Sequence, residues 1–310
     1  MKKKKIKLLC VCMLLFSIVR AQQDYMITQY MFNGLFINPA YTGVHKYFTT
    51  SLLHRNQWTG FTDGAPRTTL FAIDGPVFKN STGLGLILGD DRLGVTQQND
   101  IMANYSYQLK FKKSALSFGL RSGFSFYKAN VNDLVYWDSN DPVYINYKNR
   151  VTPKFGTGIF YHSDKYYVGL SIPTLIAHEN GNGFDWDFEK GTFLRRHYFL
   201  TGGYVFENGE LWKFKPSFLL KYTSTAPLEA DINFSVLYKE MLSLGASYRT
   251  NDAIVAIFQY QANQRFRVGY SYDFTISDLR NYTTGSHEIM LGFDLGKDVI
   301  KMKSSRYFYY

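Results

Sequence analysis

The sequence contains two cysteines, and both lie in its first 21 residues. That stretch has the organisation of a secretory signal peptide: five lysines precede the apolar run Leu8–Val19, and the small residue Ala21 marks the cleavage site. Removing residues 1–21 would leave no thiol, which excludes a disulfide scaffold, thiolate metal sites and cysteine catalysis. The alternative is an uncleaved anchor, but the run is shorter than the ~20 apolar residues that span a bilayer.

Long apolar runs and catalytic motifs are absent from the rest of the sequence. No later stretch reaches 18 apolar residues, which excludes transmembrane helices. The six histidines have no zinc-binding spacing, and neither a phosphate loop nor a serine nucleophile elbow is found. Acidic clusters near Asp138 and Asp185 lack the spacing of a calcium loop and are interpreted as solvated charge, with bound Ca²⁺ left open. We therefore expect a non-enzymatic protein with no cofactor and no metal.

Excess positive charge is mainly a property of the leader. Residues 1–21 hold six of the 35 basic residues and none of the 25 acidic ones, so 29 basic residues remain in the mature chain. A nearly balanced chain does not indicate nucleic-acid binding.

Aromatic residues are abundant and follow a period of two. They make up 18% of the chain, with 25 tyrosines and 26 phenylalanines. In Gln264–Phe274, large apolar residues occupy every second position from Phe266 onwards, and small or charged residues fill the gaps. Only a strand places such alternate residues on opposite faces. The apolar face would pack on a second sheet in a sandwich, or would face lipid in an outer-membrane barrel.

The connections between candidate strands favour the barrel. Fourteen segments can be assigned as strands; the links after the even-numbered ones are short, and those after the odd-numbered ones include 129–152 and 174–193. Short turns on one side and long loops on the other are typical of outer-membrane barrels. The sequence therefore predicts an all-β fold, a transmembrane antiparallel β-barrel of about 14 strands, with 12 or 16 as alternatives. A short N-terminal helix or plug segment is predicted to precede the barrel.

Four short motifs stand out in the sequence, at residues 38–43, 55–61, 65–68 and 285–292. Their characteristic positions are Asn38, Pro39, Gly43, Arg55, Gln57, Trp58, Pro66, His287 and Gly292. In this order the motifs resemble those of the PorP/SprF family, outer-membrane proteins of the type IX secretion and gliding system of Bacteroidetes. The resemblance implies an outer-membrane component that docks or anchors a secreted cell-surface protein and links to periplasmic machinery of secretion and gliding motility. A porin or hydrophobic-solute channel is the alternative.

The predicted extracellular loops are the candidate partner surface. Large aromatic side chains dominate interface energies, and four of them fall in the two long loops: Trp137, Tyr144, Phe184 and Trp186. They could instead pack the loops onto the barrel rim. The implied partners are a secreted adhesin or other cargo, periplasmic machinery and outer-membrane lipid.

Basic residues are predicted to line the lumen. They are Arg55, Arg121, Lys213, Lys215, Lys221 and Arg267. They could form an anion-selective pore, or they could close the lumen by pairing with acids such as Asp273 or with the N-terminal segment; we favour closure. The predicted organisation is a signal peptide (1–21), an N-terminal periplasmic or plug segment (22–45), the outer-membrane barrel (46–296) and a periplasmic C-terminal tail (297–310).

Overall fold

The computed structural model describes residues 25–45, 47–61, 64–78, 81–129, 150–177, 196–224 and 226–296. These residues form a single antiparallel sheet that closes on itself. Its strands are β1 (Phe48–Thr59), β2 (Arg67–Val77), β3 (Thr82–Leu93), β4 (Thr96–Lys110), β5 (Ser114–Ala129), β6 (Arg150–Ser163), β7 (Tyr166–Ala177), β8 (Tyr198–Tyr204 and Phe206–Asn208), β9 (Trp212–Thr223), β10 (Ala226–Tyr238), β11 (Leu242–Arg249), β12 (Ala253–Gln261), β13 (Phe266–Thr275) and β14 (Gly285–Leu295).

Closure joins the first strand to the last. β1 pairs antiparallel with β14 through ten residue pairs, with Leu53 opposite Met290, and every other strand pairs with its neighbours in sequence. The two segments of β8 both pair with β9 and count as one strand interrupted at Val205. The predicted 14-stranded barrel is thus confirmed, and the alternatives of 12 and 16 strands are wrong. In the described part of the chain, no helix is long and apolar enough to span a membrane.

Alternation separates an apolar outer surface from the lumen. In β5, Phe118, Leu120 and Phe124 are exposed on the outside, whereas Ser117 and Arg121 are buried on the lumen side. A closed barrel has no unpaired strand edge, so every backbone polar group along its strands can be satisfied within the sheet.

The two ends of the barrel differ. At the end where β1 begins and β14 finishes, here called the terminal end, all six connections are two to four residues long. The opposite end, here called the loop end, carries the long connections 130–149 and 178–197, together with 276–284, which contains a short 3-10 helix, Asp278–Asn281. Trp137, Tyr144, Phe184 and Trp186 lie outside the described residues.

Residues 25–45, here called the luminal segment, lie inside the barrel. They form three 3-10 helices, Gln29–Phe32, Gly34–Phe36 and Pro39–Tyr41, rather than one continuous helix. Two asparagines explain the interruptions: the side chain of Asn33 accepts a hydrogen bond from the backbone of Leu35, and that of Asn38 accepts one from Ala40. Such side-chain caps start new turns where the chain would otherwise continue.

The luminal segment runs along the length of the lumen. Its first described residue, Tyr25, donates a hydrogen bond to Asp100, close to the loop end of β4. Its other end is anchored at the terminal end, where the backbone N–H of Gly43 donates to Asp74 near the finish of β2. The chain therefore crosses the lumen from the loop end to the terminal end before β1 begins.

Candidate functional site

A cluster of charged side chains holds the start of the luminal segment. The backbone N–H groups of Thr28 and Gln29 donate to the two carboxylate oxygens of Glu288 at 2.9 and 2.8 Å. The amide of Gln29 donates to the backbone carbonyl of Glu288 at 3.1 Å. Two consecutive N–H groups on one carboxylate form a bidentate, charge-assisted contact, which is roughly twice as strong as neutral hydrogen bonds.

Arg55 completes this contact from the barrel wall. Its guanidinium is 2.8 Å from a carboxylate oxygen of Asp273 and 3.4 Å from one of Glu288, which is its cross-strand partner. It also donates to the hydroxyl of Thr28 at 2.9 Å. The Arg55 side chain is 1% exposed. A charge buried so deeply is stable only when its partners are in place.

Arg249 approaches the same hydroxyl from the other side. Its guanidinium lies 3.0 Å from Asp231, 3.1 Å from Asp273 and 3.2 Å from Thr28 Oγ1. The Thr28 hydroxyl donates to Asp273 at 3.0 Å and accepts from both arginines, which uses its one donor and two lone pairs. We call Arg55, Arg249, Asp231, Asp273 and Glu288 the charged clamp.

A second set of contacts holds the middle of the segment. Arg121 donates to the backbone carbonyls of Leu35 and Phe36 and is itself oriented by Asn104, whose side-chain oxygen is 2.7 Å from Arg121 Nε. A guanidinium that caps the free carbonyls of a short helix satisfies groups that the helix leaves without partners.

The opposite wall contacts the first helical turn. Asn233 donates to the Tyr30 hydroxyl at 2.6 Å, and Lys215 donates to the backbone carbonyl of Met31 at 3.5 Å.

The terminal end of the segment fits the barrel wall closely. Gly43 has φ +66°, and a methyl group there would lie 2.6 Å from the Cα of Gly83. The carbonyls of Thr42 and Gly43 accept hydrogen bonds from Ser106 at 2.6 Å and from Gln108 at 3.0 Å. Gly43 is thus required twice, for its left-handed backbone and for the close approach.

The family-motif residues of the luminal segment stabilise its path. Asn38 caps the third 3-10 helix and also donates to the carbonyl of Ile159 at 3.1 Å on β6. Pro39 occupies the first position of that helix, where a missing N–H is harmless. Together with Gly43 these residues fix the segment against the wall.

The remaining motif residues lie where β1, β2 and β14 meet. The register of β1 on β14 shifts after Asn56, and the backbone N–H of Trp58 there donates to the hydroxyl of Ser286. On the other side, the backbone N–H of Gln57 donates to the carbonyl of Pro66 at 3.0 Å and continues the pairing with β2. Trp58 has φ +53° at this irregularity. The motif around residues 55–60 therefore encodes a bulge at the loop end of β1.

The motif in β14 contributes to both faces of the wall. His287 points outwards, with Nδ1 2.7 Å from the Tyr270 hydroxyl, whereas Glu288 points into the lumen. The two neighbouring side chains therefore lie on opposite faces of β14. Gly292 leaves room for Arg267, because a methyl group there would lie 2.4 Å from Arg267 Nε.

Several residues of the clamp were not identified from the sequence. Arg55 and Asp273 were expected in the lumen, but the other three clamp residues, Arg249, Asp231 and Glu288, were not singled out. Thr28 of the luminal segment, which they surround, was not singled out either. These clamp residues could have been found by looking for charged residues at lumen-facing positions near the loop end of each strand. Among the residues that the structure describes, no group of three or more His, Cys, Asp or Glu could hold a metal ion.

Comparison with solved structures shows the fold. The toluene transporter TbuX of Ralstonia pickettii superimposes with a TM-score of 0.51 at 7% identity, covering 86% of this chain and 92% of that one. The CymD monoaromatic hydrocarbon channel gives 0.48 at 10% identity, over 88% and 94%. Omp33 of Acinetobacter baumannii gives 0.46 at 9% identity, over 82% and 100%. At these identities the likeness concerns the outer-membrane barrel alone.

Sequence families give the more specific relationship. None of the curated proteins compared with the chain matches it. Residues 19–293 match the family described as type IX secretion system membrane protein PorP/SprF, which spans nearly all of the barrel and the luminal segment. The barrel fold and this match together place the protein in the outer membrane. The chain therefore belongs to the PorP/SprF family of type IX secretion system membrane proteins.

Proposed function

We propose that the protein is a non-enzymatic docking component of type IX secretion and gliding. It holds a secreted cell-surface protein at the loop end of its barrel and contacts periplasmic machinery at the terminal end. In this proposal the barrel is a rigid scaffold with a closed lumen and does not carry solutes. Membership of the family supports a role in secretion.

One observation carries the proposal: the luminal segment is bound to the barrel as a built-in part of it. Charged or amide side chains of β1, β5, β10, β11, β13 and β14 contact its backbone or its hydroxyls. A solute can pass only if the lumen is empty or the luminal segment leaves it easily. Releasing the segment would leave deeply buried charges without their partners, which is energetically costly.

The direction of the luminal segment supports two-sided contact. Its start is held near the loop end and its finish near the terminal end, so one continuous piece of chain is presented to both ends of the barrel. Orienting the terminal end towards the periplasm follows the usual arrangement of outer-membrane barrels, in which the short turns are periplasmic.

The decisive experiment combines gene deletion with affinity capture. We expect deletion to abolish surface display of at least one large secreted protein, and the tagged barrel from gently solubilised outer membranes to retain that protein or periplasmic secretion components. Unchanged surface display in the deletion strain would overturn the proposed function.

Conductance distinguishes docking from the alternative, a porin or hydrophobic-solute channel. The purified protein in a planar bilayer is expected to show little ion current, whereas an open porin would conduct steadily. Steady current together with capture of the barrel alone would favour the channel.

The four loop aromatics give a test of the cargo surface. Replacing Trp137, Tyr144, Phe184 and Trp186 by alanine is expected to reduce surface display of the cargo while leaving the amount of folded barrel unchanged, because aromatic anchors dominate interface energies. Intact display in this variant would remove the loops from the proposal. Replacing the outward-facing Phe118, Phe124, Phe258 and Phe274 by leucine is the matched control, since it changes as many aromatics without touching the loops.

A further inference from the structure

A cavity opens at the terminal end, between the luminal segment and two adjacent turns. Its volume is about 230 Å³. Gly43, Val44 and His45 of the luminal segment form one side. The rim is formed by the β4–β5 turn, by Ser163 at the end of β6 and by Asp164 of the β6–β7 turn. The luminal segment is therefore reachable from the terminal end through this cavity.

The rim of the cavity is strongly basic. Lys110, Lys112 and Lys113 lie on it, and Asp164 is the one acidic residue among its lining residues. Lys112 and Lys113 are exposed and form no ion pair with any residue in the described ranges. Such an excess of one sign, beside a concave surface, attracts groups of the opposite charge.

Exposed aromatic side chains accompany the lysines. Phe111 lies on the cavity rim and is 57% exposed. Phe78, on the neighbouring β2–β3 turn, is 81% exposed and has φ +45°, a conformation that is costly for a bulky residue. The β2–β3 turn lies beside the end of β4, because the backbone N–H of Gln108 in β4 donates to the Ser81 carbonyl at 2.7 Å. Backbone strain combined with an exposed aromatic is common at functional surfaces.

We propose that this cavity, with Lys112, Lys113, Phe111 and Phe78 around it, is the docking site for an acidic segment of a periplasmic partner protein. The inference rests on the proposed function and specifies where the periplasmic contact is made and by what chemistry. The carboxylates of the partner pair with the lysines, and an apolar residue beside them packs on Phe111. The partner then contacts residues 43–45 and so touches the end of the luminal segment.

A partner protein suits the site better than an anionic lipid. The cavity is bounded by the luminal segment, which lies inside the barrel wall and away from the lipid-facing surface. A lipid headgroup at the perimeter of the barrel would meet the lysines from outside, without reaching His45 or Val44. A peptide segment can enter from the periplasm along the axis of the barrel.

The site can be tested with the full-length protein in nanodiscs of neutral lipid. The probe is a labelled ten-residue peptide of glutamates around one phenylalanine, and the same peptide with glutamines is its control. We expect the acidic peptide to bind in a salt-sensitive manner and Lys112→Glu/Lys113→Glu to weaken binding by ~10-fold or more, since two attractive charges become repulsive. Lys239→Glu/Arg265→Glu is the matched control, because it reverses two charges on other turns of the terminal end.

Three results would overturn the docking site. The first is no binding of the acidic peptide at millimolar concentration, and the second is equal binding of the glutamine peptide. The third is equal loss of binding in the control variant. Charge-dependent retention of phosphatidylglycerol by the solubilised protein, without peptide binding, would assign the lysines to lipid instead.

A cellular measurement separates this inference from the proposed function. In the Lys112→Glu/Lys113→Glu strain we expect reduced surface display of cargo with a normal amount of folded barrel. If display fails in the deletion strain but is normal in the charge-reversed strain, the docking site is wrong and the proposed function stands. If display is normal in both strains, the proposed function itself fails.

Discussion

Removing Arg55 should loosen the luminal segment without opening the sheet. Arg55→Ala deletes ion pairs of 2.8 Å and 3.4 Å and the 2.9 Å hydrogen bond to Thr28. Asp273 retains Arg249 as a partner, whereas Glu288 retains only the two backbone N–H groups of the luminal segment and the amide contact from Gln29. Breaking a buried ion pair by removing one partner costs about 3–5 kcal/mol.

Matched variants separate the free energy that binds the luminal segment from the free energy that stabilises the barrel wall. Thr28→Val changes the segment alone and replaces a hydroxyl that makes three contacts by a methyl group of similar size. We expect a loss of about 1–3 kcal/mol, because the buried charges around it lose a hydrogen-bond partner. Arg92→Ala is the control: its pair with Asp90 is solvent-exposed, and such pairs contribute about 0–1 kcal/mol.

Two assays follow the luminal segment and the barrel separately. Conductance in planar bilayers reports whether the lumen opens, and the temperature at which the folded form is lost on heated gels reports barrel stability. We expect Arg55→Ala to carry more ion current than Thr28→Val. Arg92→Ala and the parent protein are both expected to show little current. Each 1.4 kcal/mol lost raises the population of the released state tenfold, so brief openings should become frequent in Arg55→Ala.

The result that would refute this reasoning is a silent and heat-resistant Arg55→Ala. It would mean that the charged clamp does not retain the luminal segment, and that apolar packing of the segment against the wall is sufficient. Ion current in Thr28→Val with none in Arg55→Ala would contradict the prediction that Arg55 stabilises the luminal segment more than the Thr28 hydroxyl does.

Three further predictions concern the luminal segment, the outer surface of the barrel and enzymatic activity. Gly43→Ala should lower the melting temperature of the folded barrel more than Gly94→Ala, because both have positive φ but a methyl group meets atoms within 4 Å only at Gly43. Leu120→Arg, at an outer position 61% exposed, should destabilise the barrel folded into vesicles by about 2–4 kcal/mol, whereas Leu120→Val should not. Serine-reactive fluorophosphonates should leave the purified protein unlabelled, and labelling would contradict a non-enzymatic role.

The sheet could be predicted from the sequence because the pattern that defines a strand lies within a few consecutive residues. In Arg265–Phe274 the period of two sets which side chains face lipid, and the structure confirms a strand over Phe266–Thr275. The same rule assigned Arg55, Arg121, Lys213 and Lys215 to the lumen, where they are buried. Counting the alternating segments predicted 14 strands, and the short and long connections on alternate ends favoured a barrel.

The aromatic content indicated the compartment for a similar reason. A surface that faces lipid must be apolar over its whole circumference, so composition alone is informative. The sequence by itself thus determined the barrel, the faces of its strands and, through four short motifs, the family.

The tertiary structure alone decided how the lumen is occupied. Thr28 meets Glu288, a residue 260 positions away, and no periodicity relates them. Three short 3-10 helices carry no amphipathic repeat, because their side chains contact the wall on all sides. Which charges pair across a lumen depends on strand tilt and closure, which bring β1, β11, β13 and β14 to one luminal segment. Local patterns determine where a side chain points, and only the closed barrel determines what it meets there.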